Sequence, residues 1–120
     1  MIVTIPDYRP PTWNKFYAGM HYRKRIELAS EAHLLVLAAT KQQHPDCEPF
    51  DVCIDIEVTV YFKNRPQDTD NVTAKLLIDG LRHAGVIAED TPVQVGAVTT
   101  RSRVDKERPR VEIRLHPSEN

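Results

Sequence analysis

Residues 52–62 read VCIDIEVTVYF, and apolar side chains alternate there with mostly polar ones. Successive side chains of a β-strand point to opposite faces, so this period of two predicts a strand with one face on the core and a polar opposite face. It is the clearest strand signal in the chain, and the elements on either side of it are placed relative to it.

Upstream of this strand the pattern predicts a short strand at residues 2–5 and one long helix. Pro6, Pro10 and Pro11 favour an extended or turning segment after the short strand. The helix is predicted from about Lys15 to near Gln42, because apolar residues recur there at intervals of three and four. The apolar stripe consists of Ile26, Ala29, His33, Val36 and Leu37.

Downstream, a loop at 63–69 leads to a second helix predicted from about Asn71 to His83, with Gly85 as its C-cap residue. Its apolar side is formed by Leu76, Leu77, Leu81 and Ala84. Residues 93–103 and 110–115 are predicted to be strands, with a hairpin as one option, and 117–120 a frayed tail. The order β-α-β-α-β-β predicts an α+β fold (α/β in two layers), with two helices on one mixed sheet and residues 1–120 as a single domain.

Composition narrows the classes of protein to consider. The chain has 120 residues, 41% of them hydrophobic, and no apolar run near the roughly 20 residues that a membrane span requires. The start lacks the pattern of a secretory signal, so we expect a cytoplasmic protein. Cys47 and Cys53 form no CxxC pair, which argues against zinc. No glycine-rich phosphate loop is present, and we expect no organic cofactor.

The net charge of −1 conceals local clusters of basic residues. Some are predicted to bind DNA: Arg23, Lys24, Arg25, Lys63, Arg65, Arg101 and Arg103. Lys106, Arg108, Arg110 and Arg114 add to the basic C-terminal part. A near-zero sum can hide a basic face, which is typical of proteins that bind nucleic acid. The alternative for any single cluster is ordinary solvated surface charge.

The stretch most suggestive of chemistry is Asp68-Thr69-Asp70-Asn71, between the longest strand and the second helix. Two carboxylates one residue apart on an extended segment point the same way and can share one hard cation such as Mg²⁺. Asp90, in the turn after the helix, is a candidate third carboxylate. The alternatives are a helix N-cap for Asp68 or Asp70 and an ordinary turn residue for Asp90.

Lys75 follows this stretch on the predicted helix and is a candidate to contact a phosphate or a developing oxyanion. An ordinary exposed helix lysine is the alternative. A basic loop, the two aspartates, a lysine and a later aspartate together form a much more specific pattern than any one of them.

These residues resemble a known family. The segment 65–71, RPQDTDN, followed by Asp79-Gly80-Leu81, Ala84-Gly85 and Glu89-Asp90, looks like the RusA family of crossover-junction endonucleases, in a phage or prophage-type member. Residues 10–17, PPTWNKFY, are similar to that family's Pro-Pro-Ser-x-Asn segment. The resemblance covers nearly the whole chain, and 65–91 is its specific part.

The resemblance implies a homodimer that resolves four-way DNA junctions in recombination and repair, using Mg²⁺, with Mn²⁺ as a substitute. It implies that Asp68, Asp70 and Asp90 bind the metal. Asn71 matches the family's Asn and is predicted to contact DNA. Lys75 matches the catalytic lysine, although it follows Asn71 by four residues instead of about three.

Two alternatives stay open beside the enzyme. One is a DNA-binding module that keeps the fold but has lost catalysis or changed its selectivity. The other is a magnesium-dependent phosphotransfer enzyme acting on small nucleotides, which the absence of a glycine-rich phosphate loop argues against.

Overall fold

The computed structural model describes residues 1–12, 19–66, 72–89 and 91–119. Within these ranges the elements follow the predicted order β-α-β-α-β-β, and the α+β class is confirmed. They are β1 (Ile2–Pro6), α1 (Tyr22–Gln43), β2 (Ile54–Phe62), α2 (Lys75–His83), β3 (Val95–Val104) and β4 (Arg110–Pro117).

The four described strands form one mixed sheet in the order β1-β4-β2-β3. β2 is parallel to β3 and antiparallel to β4, which is also antiparallel to β1. Alternate residues of β2 from Ile54 to Phe62 are buried, as the period of two predicts. Adjacent parallel strands need a crossover, and α2 provides it, so α2 runs opposite to β2 and β3.

β3 and β4 do not form the hairpin that was one option from the sequence. β2 lies between them, and each pairs with a different edge of β2. The backbone N–H of Asp105 donates to the carbonyl oxygen of Phe62 at 2.9 Å, so the connecting loop passes the carboxyl end of β2. In this arrangement both edges of β2 are hydrogen-bonded, one to β3 and the other to β4, so the longest apolar pattern of the chain has no open edge.

α1 begins later than predicted. Gly19 has a left-handed backbone (φ 77°), and the helix starts at Tyr22, where the side chain of His21 accepts a hydrogen bond from the Arg23 backbone N–H. Its end at Gln43 agrees with the prediction. The first residues of the predicted helix, up to residue 18, lie outside the described residues.

The apolar stripe of α1 is also rotated relative to the prediction. The buried residues are Ala32, Val36, Ala39 and Thr40. Ile26 is 59% exposed. Nearer the amino end, Leu28 and Ala29 are half-buried and pack with Tyr8 and Met20 against Ala32 and Leu76.

α2 begins at Lys75 and not near Asn71, which itself lies outside the described residues. Val72 forms an isolated antiparallel bridge with Thr12. Thr73 then accepts a hydrogen bond from the Lys75 N–H at 3.4 Å, so the chain before Lys75 is not helical.

The carboxyl end of α2 forms a Schellman motif. Gly85 (φ 78°) donates to the carbonyl oxygen of Arg82, and Val86 donates to that of Leu81. Gly85 thus follows the C-cap residue, Ala84, by one position.

The predicted tail is partly wrong. Pro117 belongs to β4, and the backbone N–H of Ser118 donates to the carbonyl oxygen of Cys53 at 2.9 Å. The strand therefore runs the full length of β2, because Pro117 is paired with Ile54.

Candidate nucleic-acid interface

Both helices start at the same end of the molecule, where β2 and β3 finish. Ala32 of α1 packs against Leu76 of α2, and a Cβ on Gly80 would lie 3.0 Å from Val36. The later residue of α1 thus contacts the later residue of α2, which shows that the two helices run in the same direction. Since α2 runs opposite to β2, the amino ends of both helices lie beyond the carboxyl end of β2.

This end gathers cations from five separate segments, and we call it the basic end. It comprises Arg9, Arg23, Lys24, Arg25, Lys63, Arg65, Lys75, Lys106 and Arg108. The opposite end carries Asp46, Glu48, Asp51 and Glu89, together with Lys41 and Arg82. The basic end also carries the carboxylates of Asp7, Glu27, Asp105 and Glu107, so its described side chains have an excess of positive charge and not a purely positive surface.

α1 projects beyond α2 at the basic end. Because Ala32 lies level with Leu76, residues 22–25 lie six to nine residues further along the axis than Lys75. At 1.5 Å per residue this overhang is about 9–14 Å. Arg23 and Lys24 are exposed there, and Arg25 is half-buried. The overhang gives the molecule a basic projection beside the amino end of α2.

The charges at both helix starts oppose the helix dipole. Neither α1 nor α2 has an acidic residue in its first turn, and the first turn of α1 carries basic side chains. Helix amino ends favour negative charge by about 0.3–1 kcal/mol per group, so cations there are unfavourable in the free protein. Two helix amino ends surrounded by cations form a strong site for an anion such as a DNA phosphate.

The loop between β3 and β4 is held so that it presents its cations at this end. The carboxylate of Asp105 accepts hydrogen bonds from the backbone N–H groups of Glu107 and Arg108 and from Nη1 of Arg110 at 2.8 Å. The hydrogen bond from Arg110, then those from the backbone, lower the pKa of Asp105. Lys106 and Arg108 are therefore exposed on a loop with a fixed shape.

Lys75 is the first residue of α2, and its side chain is 54% exposed. Its Nζ lies 3.8 Å from Oδ2 of Asp79, one turn later. A lysine that precedes its acidic partner is the less favourable order on a helix, so the pair holds Lys75 weakly. Residues 72–74, which precede it, are not helical, and the role predicted for Lys75 stays a prediction.

Asp68, Asp70, Asn71 and Asp90 lie outside the described residues, and their predicted roles stay predictions. In the described part of the chain, no three His, Cys, Asp or Glu side chains are grouped so that they could hold a metal ion. The flanks of the predicted ligands are described. Pro66 follows β2 at the basic end, whereas Glu89 lies near the amino end of β2, where the N–H of Phe50 donates to the carbonyl oxygen of Val86.

Arg101 lies apart from the other predicted DNA-binding residues. It is on the open face of the sheet, with Nη2 3.3 Å from Oε1 of Glu57. Arg103 is on the same face, nearer the basic end, and its Nη1 donates to the backbone oxygen of Ser102. The structure thus brings Arg23, Lys24, Arg25, Lys63 and Arg65 to one end, and Arg101 remains on the sheet face.

Arg9 was not among the residues predicted from the sequence to bind DNA. Its guanidinium lies 5.0 Å from the ring centroid of Phe62, at the carboxyl end of β2. A single arginine before two prolines carries no local signal. The position of Arg9 follows only from the strand pairing. Because β1 is antiparallel to β4, β1 ends where β4 begins, and Arg9 follows β1 at that end.

The family model described as Endodeoxyribonuclease RusA matches residues 11–116 of the 120. No curated protein matches the chain. Among the described helices, none is both long enough and apolar enough to cross a membrane. The match includes the 65–91 segment and every element from α1 onward except the last residue of β4.

Proposed function

The chain belongs to the RusA endodeoxyribonuclease family, and from this we propose that it cleaves branched DNA, above all four-way junctions, by metal-assisted hydrolysis of phosphodiester bonds. The biological setting that we propose is recombination and repair of DNA in a bacterium or its phage. The basic end carries the proposal, because two helix amino ends and nine cations lie next to the flanks of the segment 67–71.

The basic end suits the DNA backbone and not a particular base sequence. Lysine and arginine side chains on helix starts and loops neutralise phosphates and release bound counterions. Such contacts fix the position of DNA without reading its sequence. The amino end of α1 projects beyond that of α2, so the cations of the two helix starts lie at different heights. This arrangement suits strands that diverge at a branch point better than a straight duplex.

The donor chemistry of the predicted ligands fits a hard cation. Asp68, Asp70 and Asp90 offer carboxylate oxygens only, and these are the ligands that Mg²⁺ prefers, with Mn²⁺ as a substitute. When bound, the metal would supply Lewis-acid activation of the phosphate and a water of lowered pKa. Lys75, exposed at the first turn of α2, would hold a positive charge against the phosphate oxygens.

The flanks of the predicted ligands favour a homodimer. Position 90 is bonded to Glu89 and Thr91, beyond the carboxyl end of α2, whereas the segment 67–71 precedes the amino end of α2. The nine residues of α2 alone span about 13 Å. One ion whose ligands lie about 2.1 Å away cannot bridge that length. We therefore propose that Asp90 of one copy joins Asp68 and Asp70 of a second copy.

Cleavage of a synthetic four-way junction with Mg²⁺ tests the activity. We expect wild type to cut the junction and Asp70→Asn to bind it without cutting. Asp46→Asn, the same change at the opposite end, is the matched control and should cut normally. Intact junctions, flaps and duplexes after incubation with wild type would refute the nuclease proposal and leave a DNA-binding module. An active Asp70→Asn variant would refute the metal assignment.

Mixing two inactive variants tests the shared site. In a mixed dimer of Asp70→Asn and Asp90→Asn, one of the two shared sites receives only intact ligands. We therefore expect the mixture to nick one strand of the junction, although neither variant alone cuts. If each copy held its own complete site, the mixture would stay inactive, and that result would exclude the shared arrangement.

A further inference from the structure

A cavity of about 270 Å³ opens at the basic end and has no part in the proposed chemistry. It lies between the segment that leaves β1 and the carboxyl end of β2. Its walls include Asp7, Tyr8 and Arg9 on one side, and Tyr61, Phe62 and Lys63 on the other. Pockets for drug-sized ligands measure about 300–1,000 Å³, so this cavity suits a single ring system.

Arg9 forms a stacking surface at this cavity. Its guanidinium lies 5.0 Å from the centroid of the Phe62 ring, and that ring is fixed because only 2% of Phe62 is exposed. Arg9 itself is exposed, and among the described residues no carboxylate forms an ion pair with it. Planar guanidinium groups are surfaces on which unpaired bases stack.

Asp7 places a carboxylate at the rim. Its backbone is left-handed (φ 54°), and its N–H donates to the carbonyl oxygen of Pro109 at 3.0 Å, which fixes the turn. An ionised carboxylate only accepts hydrogen bonds, so it favours a partner with an amino group, such as N4 of cytosine. Next to it, burial first and then the charge of Glu31 raise the pKa of Tyr8 to about 12.

We propose that this cavity receives an unpaired nucleobase that carries an exocyclic amino group, displaced from the branch point of DNA bound at the basic end. The base stacks on Arg9, its amino group donates to Asp7, and Lys63 contacts the adjoining phosphate. Thymine, which has no amino group, is excluded. The inference rests on the proposed function, because it takes branched DNA as the molecule bound there.

Binding measured without divalent metal tests the proposal independently of cleavage. The probes are three fluorescent junctions with one extra unpaired nucleotide at the branch point: cytosine, thymine or an abasic residue. Stacking of one base changes affinity by roughly five- to a hundredfold. We expect wild type to bind the cytosine junction at least about fivefold more tightly than the abasic one, because of stacking, and more tightly than the thymine one, because of the hydrogen bond to Asp7.

Three variants separate the contributions. Arg9→Leu should abolish the advantage of cytosine over the abasic residue. Asp7→Asn keeps a side chain that tolerates the left-handed backbone, and it should abolish the preference for cytosine over thymine, since an amide can both donate and accept. Arg108→Leu removes an exposed cation at the same end but outside the cavity, so it should weaken binding to all three junctions equally.

Equal binding of the three junctions by wild type would overturn the proposal. So would an unchanged advantage of cytosine over the abasic residue in Arg9→Leu. Failure of the proposed function is a different result. If the protein shows the base preference but cuts no DNA with Mg²⁺, the base-binding cavity is supported and the nuclease proposal is refuted. If the protein cuts junctions but shows no base preference, the nuclease proposal is supported and the base-binding cavity is refuted.

Discussion

Reversing one charge at the start of α1 should stabilise the free protein and weaken its binding to DNA. Arg23 is exposed in the first turn, at the positive end of the helix dipole. Arg23→Glu removes an unfavourable cation and adds a favourable anion. Each unit of charge is worth about 0.3–1 kcal/mol, so the free energy of unfolding should rise by about 0.6–2 kcal/mol. At this chain length that corresponds to about 3–5 °C in Tm per kcal/mol.

Lys41→Glu is the matched control, because Lys41 is exposed in the last turn of the same helix. Neither lysine 41 nor arginine 23 forms an ion pair within the described ranges. The charge change is identical, but the dipole at this end is negative, so the free energy of unfolding should fall by a similar amount. Lys41 lies away from the basic end, and DNA binding should be unchanged.

The assays are urea unfolding at low salt and DNA binding over a series of salt concentrations. Arg23→Glu should lower affinity for every DNA sequence alike and reduce the slope of log affinity against log salt by about 1. If both variants shift stability in the same direction, the dipole argument is wrong. If Arg23→Glu binds DNA with the wild-type slope, α1 does not contact phosphate.

Three further predictions concern the packing and titration of the fold. Gly80→Ala would place a Cβ 3.0 Å from Val36, so urea unfolding should show a loss of about 1 kcal/mol. That loss should shrink in a Val36→Ala background, which removes Cγ2 of Val36 at 3.0 Å but keeps its Cβ, also at 3.0 Å, and an undiminished loss there would contradict the clash. Gly85→Ala forces φ 78° on an alanine and should cost about 1–2 kcal/mol, whereas Gly85→Asn should cost less; equal losses would contradict the left-handed C′ explanation. Burial, then the stacked His83, lower the pKa of His33 below 6.5. The unfolded chain therefore binds the proton more readily, and stability should be full above pH 6.5 and fall as the pH drops below it; His33→Gln should fall less, and an identical pH profile would refute the assignment.

The period of the apolar residues was enough to predict the order of elements and the class of fold. It could not locate the helix starts, because these depend on backbone features such as the left-handed Gly19 and the turn at Thr73. The position of β4 was also not predictable from its own pattern, since strands with the same alternation can pair with either neighbour. The pairing depends on covering both edges of β2, which is a property of the whole sheet.

The candidate site was predictable in its parts and not in its assembly. Arg23, Lys63 and Lys75 are separate signals in the sequence, and they meet because a parallel β-α-β unit returns each helix to the same end. Arg101 also lies in a basic cluster of the sequence, but it forms an ion pair with Glu57, which is 44 residues away in the chain. The sequence alone does not indicate that Arg101 forms an ion pair on the face of the sheet.

The place of β4 in the sheet has a consequence for how the protein is made. β4 separates β1 from β2, so the two strands that emerge earlier from the ribosome have no direct contact with each other in the sheet. The core cannot close until residues 110–117 have been synthesised, because Val111, Ile113 and Leu115 complete it. A chain truncated before residue 110 should therefore fail to fold, because it lacks both the central strand partner of β1 and β2 and part of the core.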